Sequence, residues 1–176
     1  MFEFDQPLVV TEHSESGTLK MKSVAVNFIK ASRGDLSAIN ASIRCGFKGN
    51  QFSRWENGYS QALWSDMLDC LDLLNLPILK SMQIVVPTIQ SENLTEYSQH
   101  LIKTAGKISC TKTLKISSST FDRWKTGKKS PSLEEMLVIF EMNGVLYYFL
   151  KSLFGDQNVV KFFSKEFSLL KTRVES

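Results

Sequence analysis

Phe52-Ser53-Arg54-Trp55-Glu56-Asn57-Gly58 recurs later in the chain as Phe121-Asp122-Arg123-Trp124-Lys125-Thr126-Gly127. The shared pattern is F-x-R-W-x-x-G, and the displacement is 121 − 52 = 69 residues. The same displacement sets Met67-Leu68 on Met136-Leu137, Ile39 on Ile108 and Phe47 on Ile116. The chain has only three Trp, and two of them fall on this repeat. Chance is a poor explanation. A duplicated unit is the better one, and a fixed period of self-similarity decides architecture before local propensity does.

Charge follows the same period. From Lys20 to Arg54 there are seven bases and one acid, Asp35, a net of 7 − 1 = +6. Glu56 to Asp72 holds four acids and no base. From Lys103 to Lys129 there are eight bases and one acid, Asp122, a net of 8 − 1 = +7. Glu134 to Glu141 holds three acids and no base. The overall charge of +3 therefore conceals two basic stretches, each followed by an acidic one. One charge run is usually a solvated face; recurrence at matching places points to a polyanion-binding surface.

The apolar spacing predicts helices in both copies. In the second, Leu94 to Thr104 places Leu94, Tyr97, Leu101 and Ile102 on one face. A short helix over Lys107 to Leu114 would turn Ile108, Thr111 and Leu114 inward. Ser117 begins a run of small hydroxyl residues suited to capping a third helix, Ser118 to Lys125, anchored by Phe121 and Trp124. Gly127 stands where a left-handed helix end is wanted. Ser130-Pro131-Ser132-Leu133-Glu134-Glu135 opens a fourth helix with Leu133, Met136, Leu137 and Phe140 inward, stopped by Gly144. The first copy fits the same frame. Its helices are read over Lys20 to Lys30, over Leu36 to Arg44 behind Asp35, over Asn50 to Asn57 with Gly58 as cap, and over Leu63 to Leu74.

Composition excludes several other classes. At 176 residues, 43% hydrophobic and 22% charged, the chain has a globular balance. No apolar run approaches the roughly 18 residues of a membrane span. The first 15 residues carry Glu3, Asp5, Glu12 and Glu15 and no base, the wrong charge for a secretory leader, so a cytoplasmic location is expected. Cys45, Cys70 and Cys110 are odd in number and widely spaced, and read as small hydrophobes in a reducing compartment. His13 and His100 stand alone. With no catalytic, nucleotide-binding or metal-ligand motif, neither enzyme activity, a cofactor nor a metal is expected.

Each unit resembles the XRE, or phage-repressor/Cro-type, helix-turn-helix family. The resemblance is carried by Arg54-Trp55-Glu56-Asn57-Gly58 in the first copy and by Ile116 to Val145 in the second, with its Pro131-Ser132-Leu133 linker end. It covers about residues 20–75 and 94–145. There are departures. Lys125 and Thr126 replace Glu and Asn, Gln61-Ala62-Leu63-Trp64 replaces the Pro-Ser linker, and Ser42 and Thr111 stand where the family usually has Ala. The implied architecture is all-α. It comprises an N-terminal arm (1–19), unit one (20–75), a connector (76–93), unit two (94–145) and a C-terminal helical tail (146–176). The connector, Met82-Gln83-Ile84-Val85-Val86-Pro87-Thr88-Ile89, is β-prone and expected to be an extended linker or an edge strand. Phe2, Phe4, Leu8, Val9 and Val10 make the arm β-prone too.

The resemblance implies a sequence-specific transcriptional regulator that binds double-stranded DNA with the third helix of each unit in the major groove. In unit two, Ser118, Ser119, Thr120, Asp122 and Arg123 would then face base edges. In unit one, Gly49, Asn50, Gln51, Ser53 and Arg54 would do so. Lys48, Ser117, Lys128 and Lys129 would lie near phosphates. The competing role for Arg54 and Arg123 is an ion pair with an acid of the following helix. Trp55 and Trp124 are expected in the core. The alternative function is an adaptor that keeps the fold and binds RNA polymerase or another regulator. The tail, with Val159, Phe163, Phe167 and Leu170 on one stripe and a break at Gly155-Asp156, either packs on the units or forms a homodimer or partner surface.

Overall fold

The computed structural model describes the backbone of residues 14–175 and the side chains of residues 21–166, and it is all-helical. The first half runs α1 (Ser14–Arg33), α2 (Ala38–Arg44), α3 (Gln51–Glu56), α4 (Trp64–Leu73) and α5 (Ile78–Val85). The second half runs α6 (Leu94–Ala105), α7 (Lys107–Leu114), α8 (Ser118–Lys125), α9 (Leu133–Met142) and α10 (Leu146–Phe154). A further helix, α11 (Asp156–Glu175), closes the chain.

The repeat is structural as well as chemical. The start of α2 and both ends of α4 recur 69 residues on, in α7 and α9. The last residues of α3 and α5, Glu56 and Val85, likewise map onto Lys125 and Phe154. Left-handed backbone recurs at Gly58 (φ +77°) and Gly127 (φ +80°), which end α3 and α8. It recurs again at Gly46 and Lys115, and at Asn75 and Gly144. Both α7 and α8 occupy the residues that spacing and capping predict.

The two halves meet about a local two-fold. Leu63 and Ser132, which are counterparts in the repeat, form an isolated antiparallel bridge. The Trp64 N–H donates to the Pro131 carbonyl at 2.9 Å, and the Leu133 N–H donates to the Ala62 carbonyl at 2.8 Å. These bonds exchange under the 69-residue displacement. Two further counterpart pairs pack together, α4 with α9 and α5 with α10.

A single apolar core runs through both halves. Its centre is aromatic. Phe140 stacks on Phe149 at 4.2 Å, Trp64 meets Phe140 edge-on at 5.7 Å, and Phe28 meets Phe154 at 5.1 Å. Each such ring contributes roughly 1.5–3 kcal/mol by leaving water. The Trp64 Nε1–H donates to Ser98 Oγ at 2.8 Å, so the indole ties α4 to α6 without an unmet donor.

Three expectations need correction. The connector is not extended: α5 lies inside it, because Ile78, Ser81 and Met82 bury one helical face that outweighs the β-branched run after them. The first helix starts at Ser14 rather than Lys20, which moves the end of the arm; residues 1–13 lie outside the described residues. Ile108 is 83% exposed rather than inward, and α7 turns Cys110 to the core instead. The tail breaks at Gly155 as its residues suggest, and of its two readings the described part follows packing: Val159 and Phe163 are buried, and α11 lies against α1 and α10. The Phe167 and Leu170 side chains lie outside the described residues. Among the described residues no single helix is long and apolar enough to cross a membrane.

Candidate nucleic-acid interface

The first turn of α8 is built by its own cap. The Ser117 Oγ accepts the Thr120 N–H at 3.0 Å and donates to Thr120 Oγ1 at the same distance. That satisfies an orphan donor and uses both hydroxyls locally. Phe121 and Trp124 are buried and hold the helix to the core. Ser118, Ser119 and Arg123 are left exposed on the outer face, with Lys128 and Lys129 exposed just beyond its end. Lys115, two residues before the cap, is also exposed. The exposed face thus offers two hydroxyls and a guanidinium flanked by ammonium groups.

Asp122 plays a different part. Its carboxylate lies 2.9 Å from Lys107 Nζ on α7 and 3.9 Å from Lys125. The hydrogen bond from Lys107, with the charges of Lys107 and Lys125, holds the Asp122 carboxyl below its usual range. It therefore joins α7 to α8, and two cations are already spent on it.

The α3 surface is more self-occupied. The Asn50 Oδ1 accepts the Ser53 N–H at 3.1 Å and caps the helix. The Gln51 Nε2 donates to Ser60 Oγ at 3.1 Å, and Ser53 Oγ accepts from Asn57 Nδ2 at 3.1 Å. Arg54 is exposed, as are Lys48 and Gly49. No ion pair holds Arg54 or Arg123 among the described residues.

Two interactions set the first copy apart from the second. Arg33, at the end of α1, grips Glu56 with Nε at 2.9 Å and Nη2 at 3.2 Å, and its Nη1 donates to the Leu36 carbonyl. The Glu56 side chain is only 8% exposed. The residue matching Arg33 in the second half is the buried Ile102, so a Glu at 125 would have no such partner; Lys stands there. The Ser42 hydroxyl is fully buried, donates to the Ala38 carbonyl at 2.8 Å and accepts the Phe52 N–H at 2.9 Å. A hydroxyl thus bonds α2 directly to the first turn of α3. Its counterpart Thr111 donates to the Ile108 carbonyl within α7.

The thiols are not set up for chemistry. Burial raises Cys45, pushes Cys70 upward strongly and pushes Cys110 up to about 11. All three stay protonated at neutral pH, and a protonated thiol is a poor nucleophile. Sequence spacing missed Lys107 and Lys115 as neighbours of α8. Their signal was present as a base at the start of α7 and a base just past its end, but their position depends on how α7 meets α8.

No family model, no curated protein and no solved structure matches this chain.

Proposed function

We propose that the chain is a sequence-specific double-stranded DNA-binding regulator of transcription, with two helix-turn-helix units of the repressor type and α8 as the stronger reader. The observation that carries this reading is the outer face of α8. Ser118, Ser119 and Arg123 are exposed on a short helix anchored by Phe121 and Trp124, with Lys115, Lys128 and Lys129 exposed beside it. An Arg on such a helix can pair bidentately with guanine O6 and N7, while ammonium groups grip phosphates without reading sequence. Asp122 is then a brace for the reading helix rather than a base contact.

A second reading, a protein-interaction adaptor, draws on unit one. Ile39 and Ile43 lie one turn apart on α2 at 43% and 62% exposure, and Tyr59 beyond α3 is 76% exposed. Apolar side chains of that kind suit a protein partner better than phosphates.

The test is retention of sequences from a random double-stranded DNA pool, followed by affinity against salt. DNA reading predicts an enriched motif and steep weakening with salt, because phosphate contacts release counterions. The Arg123→Ala variant should relax specificity by roughly 1–3 kcal/mol. An adaptor would enrich nothing and bind its partner with little salt dependence.

A further inference from the structure

We infer that one chain forms its own two-fold pair and occupies two unlike, inverted half-sites on a duplex without a second copy. The inference rests on the DNA-binding reading above. It begins from the bridge between Leu63 and Ser132. A residue lies opposite its own counterpart in an antiparallel bridge only where a dyad passes between them. The exchanging bonds, Trp64 N–H to Pro131 carbonyl and Leu133 N–H to Ala62 carbonyl, obey that dyad. So do the packings of α4 on α9 and of α5 on α10. A head-to-tail tandem would instead set each surface against a different one. The contact between the halves is thus of the self-complementary kind that joins two identical subunits, here made within one chain.

The dyad that relates the two units relates α3 to α8 as well, so the two third helices form an inverted pair, which is the relation that inverted half-sites on a duplex would match. Six residues, 57–62, lie between Glu56 and Leu63, and six, 126–131, lie between Lys125 and Ser132, so the two third helices stand at the same chain distance from the bridge. Half-sites one turn apart require about 34–36 Å between readers. The half-sites must differ, because the readers do. On α8, Ser118, Ser119 and Arg123 are exposed, whereas on α3 only Arg54 is exposed and Asn50 and Gln51 bond internally.

The experiment uses the full chain and a pool of duplexes with a random central segment. Enriched sequences are read for symmetry, and the mass of the complex on one enriched duplex gives the number of chains bound. The expected site has two unlike half-sites in inverted orientation, about ten base pairs between centres, with one chain per duplex. The exposed Arg54→Ala and Arg123→Ala variants should each weaken binding roughly 5- to 150-fold through a different half-site. Re-cloning the half-sites as a direct repeat should reduce binding to the level of one half-site. Half-sites enriched as a direct repeat, a single half-site, or two chains per enriched duplex would overturn the two-fold assignment and leave DNA reading standing. A pool with nothing enriched would overturn both.

Discussion

The starts of α4 and α9 are counterparts in the repeat, yet they are capped by opposite means. Helix α9 caps itself: Ser132 Oγ accepts the Glu135 N–H at 3.1 Å, and Glu135 Oε1 accepts the Ser132 N–H at 2.9 Å. Helix α4 has Leu63 at the same place and no side-chain cap. Its first donors go to the other half instead, Trp64 N–H to the Pro131 carbonyl and Ser65 N–H to Ser130 Oγ at 3.0 Å. The Ser-Pro-Ser segment of unit two therefore serves two helices, and unit one can do without its own. The difference teaches that the copies have diverged as partners. Unit two keeps its own side-chain cap, unit one takes its cap from unit two, and the Leu133 N–H in turn donates to the Ala62 carbonyl, so each half completes the other.

The largest test of that dependence is Trp64→Ala. It removes a buried ring that meets Phe140 and Phe149, together with the bond to Ser98. The expected loss is about 3–5 kcal/mol, with both halves still melting in one calorimetric transition. Two separate transitions would break the picture of mutual dependence.

Next come the counterparts Glu56 and Lys125. Glu56→Ala leaves Arg33 without its largely buried partner and should cost roughly 2 kcal/mol in denaturant unfolding. Lys125→Ala loses only an exposed contact at 3.9 Å and should cost less than about 0.5 kcal/mol. Equal costs would mean that the two sites have not diverged in the way their partners indicate.

A smaller effect sharpens the capping argument. Ser130→Ala should cost about 1 kcal/mol and speed amide exchange at Ser65, although the two residues lie in opposite halves. Protection unchanged at Ser65 would assign its donor to solvent.

The smallest effect concerns pH. The folded Asp122 pKa is depressed by Lys107, so this contribution to stability is present above the ordinary carboxylate range and is lost as pH falls through the folded value. The Lys107→Ala variant should move the Asp122 titration, followed by NMR, back up toward the ordinary range. An unmoved titration would remove Lys107 as the cause.

Much of this organisation was legible in the residues. The F-x-R-W-x-x-G repeat located both third helices, and their Phe and Trp anchors are buried as their spacing requires. Ser117 and Ser132 announced their helices because a cap acts within three residues of itself. The resemblance placed Arg54 and Arg123 on the third helices, where both are exposed. It did not separate Arg123 from Asp122, since the bond from Lys107 crosses between two helices.

Local pattern thus settled most helix positions and most of the inward faces, because each depends on side chains one or two turns apart, and the 69-residue repeat disclosed the duplication. The packed chain alone decided that residues 78–85 are helical, that Ile108 faces water and that Pro131 and Ser130 complete the start of α4. It alone set Leu63 against Ser132. Those outcomes depend on contacts between segments far apart in sequence, whose competing free energies no local window contains.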